Sequence, residues 1–126
     1  MQLTEDTIIT SRLPESSAEQ LESFFRLFTD PKKAPDAVCC LNDNCAGHFF
    51  MEMKKRGLAV ENLHISGFDA NHFTAFFPKP ILSVKPPLAE LGKRAVEILT
   101  RRIENRGLAE VNETLKSEVK YMKKEE

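Results

Sequence analysis

The run from Pro35 to Asp69, PDAVCCLNDNCAGHFFMEMKKRGLAVENLHISGFD, constrains the fold more than any other part of the chain. Ala37 to Leu41 is a continuous apolar stretch of strand length, the pattern of a strand covered on both faces. Asn42 and Asp43 stand at its end. Asp43 or Asn44 then caps a helix whose Ala46, Phe49, Phe50 and Met53 recur at helical spacing. Lys54-Lys55-Arg56 complement the C-terminal dipole of that helix, and Gly57 stops it. Leu63, Ile65 and Phe68 mark a second strand that ends at Gly67-Phe68-Asp69. A strand, a crossover helix and another strand favour a parallel sheet. In such sheets ligands bind in the crevice beyond the carboxyl ends of the strands, where Asn42, Asp43 and Asp69 belong. The segment reads as half of a small-molecule site.

The flanking sequence continues the alternation. Thr7 to Thr10 is a short β-branched run, and Ser16-Ser17-Ala18-Glu19 matches a capping box that opens a helix with Leu21, Phe24, Phe25 and Phe28 along one stripe. Asp30-Pro31 ends it. From Asn71 to Pro80, phenylalanines lie too close to Pro78 and Pro80 for a long regular element, and a loop with a short helical turn is expected. Ile81 to Val84 is extended. Leu88 to Asn105 is the longest amphipathic helix, with Leu88, Leu91, Ala95, Ile98, Leu99 and Arg102-Ile103 on its inner face. Thr114 to Met122 alternates as an exposed edge strand does. The fold class is α/β, a parallel sheet flanked by helices.

Composition sets the outer limits. A chain of 126 residues, 41% hydrophobic, suffices for one domain and not for two. Eighteen basic against 19 acidic residues give a formal net charge of −1, which offers no field for a phosphate backbone. No apolar run approaches the ~20 residues of a membrane helix, and residues 1–20 lack a signal-peptide pattern, so a cytoplasmic protein without a membrane partner is expected. Cys39, Cys40 and Cys45 are odd in number and crowded, which suits buried free thiols in a reducing compartment. With His48 they match no common zinc spacing, and no metal or other cofactor is expected. His64 or His72 with Cys45 or Ser66 could suggest a nucleophile pair, but no elbow glycine pattern accompanies them, and no catalytic residue is assigned.

Three separated motifs, PDAVCCLND, RGLAVENLHISGFD and KPILSVKPPLAELGKRAVEIL, together resemble the C-terminal part of the effector-binding core of the LacI/GalR family of bacterial transcription regulators. The resemblance runs from about residue 5 to 123. It implies the C-terminal lobe of a type I periplasmic-binding-protein-like domain, truncated, spanning residues 1–126. In such a domain a small-molecule effector, commonly a sugar or a purine, is held between two lobes. It further implies that Asp69 reaches the effector, that Asn42 and Asp43 line the same cleft, and that Leu88 forms a wall. Asp43 is equally an ordinary helix cap, and Asn42 an ordinary turn residue.

By the same resemblance, pairing into a homodimer uses Gly47, Phe50, Met51, Phe76 and Phe77, although Phe50 suits a core as well as an interface. The helix within 85–106 packs on an N-terminal lobe in the family, and the strand within 113–122 returns to the C-terminal one. DNA is met only through a separate N-terminal domain. The function implied is the effector-sensing, dimerising portion of a regulator, not an enzyme; a solute-binding protein of related fold is the alternative. Departures fall at Lys85-Pro86-Pro87, where the family has Gln after Val, and at Ala70, where it often has a second acid. Alone, the long helix exposes ~6 large side chains worth ~1.5–3 kcal/mol each on burial. It is expected to fold back on its own lobe or to be buried in a homodimer.

Overall fold

The computed structural model describes residues 18–30, 32 and 34–123; the Thr7–Thr10 run and Ser16 lie outside the described residues. Helix α1, Ala18–Arg26, passes into a 3-10 turn, Leu27–Thr29, which ends where Asp30 turns extended. Strand β1 is Ala37–Cys39, helix α2 Asp43–Lys55 and strand β2 His64–Phe68. A 3-10 segment, His72–Phe76, fills the expected aromatic loop. Strand β3 is Ile81–Lys85, helix α3 Leu88–Glu104 and strand β4 Glu118–Met122.

The strands form one sheet in the order β1-β2-β3-β4. The first three are parallel, joined by α2 and by the aromatic loop, while β4 returns antiparallel to β3. The sheet is therefore mixed and mostly parallel. Its register aligns Cys39, Ser66, Leu82 and Tyr121 in one row across all four strands.

Strand alternation divides the sheet into two unlike faces. On one, Val38, Ile65 and Ile81 meet α2 and α1 in a core containing Phe25, Ala46, Phe49, Phe50, Met53, Leu63 and Phe77. The Phe25 and Phe49 rings stack at 6.0 Å, and Phe50 meets Phe77 at 5.1 Å. Each such ring contributes ~1.5–3 kcal/mol by burial. Arg56, just past α2, donates to Glu52 and to Glu22 of α1 and lies 4.4 Å over the Phe25 ring, so it ties α1 to α2. Lys79 donates to the carbonyls of Val60, Glu61 and Leu63 and pins the loop that feeds β2.

The other face is open. Phe68, Leu82, Val119 and Tyr121 are all exposed. This corrects the expectation for β1: it is three residues long, and Ala37 and Cys39 are exposed, because among the described residues helices pack on one side of the sheet only. For helix α3, the first of the two expected outcomes is not met. It does not fold back: it buries no residue completely, and Leu88, Leu91, Val96, Leu99 and Ile103 stand exposed. A bidentate Arg94–Glu113 pair fastens it to the segment leading into β4 and holds the Glu113 carboxyl below the usual carboxylate range.

Candidate functional site

Because β1, β2 and β3 are parallel and adjacent, their carboxyl ends share one edge of the sheet. Asn42 follows β1, Asp69 follows β2 directly, and Leu88 opens α3 three residues beyond β3. Three of the four expected ligand positions thus come to one rim, with Asp69 just beyond the strand that is paired on both sides. Asn42 and Asp69 are half-buried and Leu88 is exposed.

Asn42, not Asp43 or Asn44, caps α2: its backbone is extended, and its Oδ1 accepts the Cys45 N–H at 3.0 Å. The sequence offered three consecutive capping residues, and the turn geometry selects the first. Asp43 departs from the expected cleft position as well. It is 0% exposed, and both carboxylate oxygens are occupied: Oδ1 accepts the Ser83 hydroxyl at 2.7 Å, and Oδ2 accepts the Asn71 N–H at 2.7 Å. This carboxylate is buried between the start of α2 and the end of β2, with both oxygens engaged inside the protein.

The turn it grips is strained. Asp69 has φ 96° and Ala70 φ 47°, a left-handed pair without glycine. The Asp69 N–H donates to the Val84 carbonyl at 2.9 Å, and the Ala70 N–H to Ser83 Oγ at 3.0 Å. Close approach makes this possible, since a Cβ at Gly67 would lie 2.2 Å from Asp43 Oδ1. Sequence reasoning missed Gly67, Ser83 and Asn71. The glycine inside a strand was the available signal, for it marks a place where another backbone comes close.

The expected interface residues separate into two groups. Phe50 and Phe77 belong to the core, and Gly47 packs under Phe77, whose ring a Cβ there would meet at 3.3 Å. Phe76 is 88% exposed and Met51 is also exposed. Between α2 and the aromatic loop lies a mostly apolar groove of about 730 Å³, lined by Gly47, Met51, Leu58, Phe73, Phe76 and Phe77, with His48 and Lys54 at its side.

Other chemistry is sparse. The three cysteines are free thiols; Cys39 is exposed, contrary to the buried placement expected, and burial pushes the Cys40 thiol up to about 12. Among the described residues no group of three or more His, Cys, Asp or Glu could hold a metal, and no helix is long and apolar enough to cross a membrane. His64 and His72 are both exposed.

Comparison with known proteins agrees with this architecture. The family model described as a periplasmic binding protein-like domain matches residues 2–121. The chain is 32% identical over 91 residues to the HTH-type transcriptional repressor PurR of Actinobacillus pleuropneumoniae, covering 71% of this chain and 26% of that one. It is 36% identical over 72 residues to the ribose operon repressor of Haemophilus influenzae, covering 56% and 22%. The chain therefore spans about a quarter of the length of the curated relatives it matches. A crystal structure of a LacI-family regulatory protein from Chloroflexus aggregans superposes with a TM-score of 0.58 at 30% identity, over 73% of this chain and 34% of that one. The parallel strands, the rim and these relatives together show that the chain belongs to the periplasmic-binding-protein-like effector-binding domain family of LacI/GalR transcriptional regulators.

Proposed function

We propose that this chain supplies the effector-sensing and dimerising part of a LacI/GalR-like transcriptional regulator, forming one wall of a cleft for a sugar or similar small polar molecule. The observation that carries the reading is the rim. Asn42, Asp69 and Leu88 follow the carboxyl ends of three adjacent parallel strands, where such folds bind ligands. The Asp69 carboxylate accepts hydrogen bonds from neighbouring hydroxyls, the Asn42 amide adds a polar group beside it, and Leu88 packs on the apolar face of a ring. Asp43, with its oxygens already engaged, takes no ligand.

In the complete regulator, an N-terminal lobe closes over this rim and over the apolar stripe of α3, the strand within 113–122 returns to the C-terminal lobe, and a separate DNA-binding domain reads the operator. Effector binding shifts the balance between open and closed lobes, which the DNA-binding part senses. Met51, Phe73 and Phe76, exposed along one groove, suit contact with a second copy. The similarity to named transcriptional repressors favours regulation over solute transport or catalysis.

The test is calorimetric titration of the full-length regulator with D-ribose, other sugars and purine bases, with and without Asp69→Asn. The reading expects saturable binding of one compound and a loss of about 10–100-fold on substitution, the scale of one hydrogen bond to a charged group. Binding unaffected by Asp69→Asn contradicts it. For the dimer, sedimentation of Phe76→Ser with Met51→Ser should show weakened association; an unchanged assembly state rejects the interface.

A further inference from the structure

We propose that Asp43 and Ser83 form a buried clasp that holds the Asp69–Ala70 turn in its left-handed geometry, and so act as positioning residues for the Asp69 carboxylate. The proposal rests on reading Asp69 as the ligand-contacting acid, and it goes further by naming what aims that side chain.

Two consecutive non-glycine residues at positive φ are costly, and they persist only where their surroundings over-determine them. Three elements converge to do so. The Ser83 hydroxyl, from β3, donates to Asp43 Oδ1 while its oxygen accepts the Ala70 N–H. Asp43 Oδ2, from the first residue of α2, accepts the Asn71 N–H. One carboxylate and one hydroxyl, 0% and 1% exposed, thus secure two successive amides immediately after Asp69. Asp69 itself is anchored by its N–H on the Val84 carbonyl. With the backbone tied on both sides, the direction in which the Asp69 Cα–Cβ bond leaves the chain is set.

The arrangement behaves as a unit. Losing either member releases one amide directly and leaves the acceptor of the other without its own buried partner, so the second bond loosens and the turn can relax to negative φ. Gly67 is part of the same device, since any side chain there would occupy the place of Asp43 Oδ1.

Residue-resolved amide hydrogen exchange on this chain tests the clasp by reading the amide that each substitution does not touch directly. Ser83→Ala should accelerate exchange at Asn71, whose own acceptor is intact. Asp43→Asn should accelerate exchange at Ala70, whose own acceptor is intact. Each effect should be about tenfold or more, while the Ile65 and Phe49 amides keep their wild-type rates. Adding Ala70→Gly, which removes the steric strain, should reverse part of the loss. Unchanged rates at the indirect amide, equal acceleration throughout the core, or no rescue by Ala70→Gly would each overturn the clasp. The site reading fails separately: in the full-length regulator, a sugar or purine that binds equally well before and after Ser83→Ala shows that the turn does not position a ligand group. If the clasp variants change exchange as expected but no compound binds wild type, Asp69 is not a ligand residue and the clasp stands.

Discussion

Helices α2 and α3 are both amphipathic and come to opposite ends. Helix α2 connects two adjacent parallel strands, so its connection lays it against the sheet, and Ala46, Phe49, Phe50 and Met53 are all buried. Helix α3 leaves β3 through Pro86-Pro87 and is followed by an antiparallel return, so no βαβ crossover brings it down on the sheet. Its Leu88 and Ile103 remain 65% and 70% exposed. An apolar stripe states that a helix needs a partner; the connection decides whether that partner lies in the same chain.

The contrast is sharpest in how the two regions should respond to substitution. Gly67→Val should have the largest effect, because the new Cβ falls 2.2 Å from Asp43 Oδ1 beside fixed backbone. Urea denaturation should show a loss of more than about 3 kcal/mol or no folded protein at all. Phe49→Ala, removing a ring from the centre of the core, should cost about 3–5 kcal/mol by the same measurement. Lys79→Met leaves three carbonyls without their shared donor, and thermal unfolding should register a loss of about 1–3 kcal/mol.

On the α3 side, Leu99→Ser combined with Ile103→Ser should change the stability of the isolated chain by no more than about 0.5 kcal/mol per site while reducing binding of an apolar dye. A loss comparable to Phe49→Ala would break the comparison. The smallest effect concerns pH. Hydrogen bonds from Lys55 and Arg56 hold the Glu52 carboxyl below the usual carboxylate range. A depressed carboxylate stabilises the fold above its unfolded pKa, about 4.3, and this contribution is lost as pH falls through the lower folded value. Acid titration should therefore weaken the pairs that Lys55 and Arg56 make at the end of α2, by less than any core substitution above, and Glu52→Gln should flatten that part of the profile.

Much of this architecture was legible in the sequence, for definite reasons. Periodicity carried α2 and α3, the stop at Gly57 was confirmed by its φ of 64°, and the short helical turn beside Pro78 followed from proline geometry. The rim was legible through Asn42 and Asp69, since parallel alternation places strand ends together. What escaped were matters settled by contacts distant in sequence. Asp43 turned inward because Ser83, forty residues on, offers it a hydroxyl. Phe50 and Phe77 joined the core because they meet each other across the aromatic loop, while Phe76 beside them did not. The shortness and exposure of β1 reflect which helices cover the sheet, and no local pattern encodes that.

The most direct measurement of the central contrast is amide hydrogen exchange along the isolated chain, read helix by helix. A self-sufficient core on one side and an unmatched helix on the other predict slow exchange in α2, β2 and β3, near the limit set by global unfolding, and exchange at least a hundredfold faster through α3. Protection of α3 equal to that of α2 in a monomer would contradict the account.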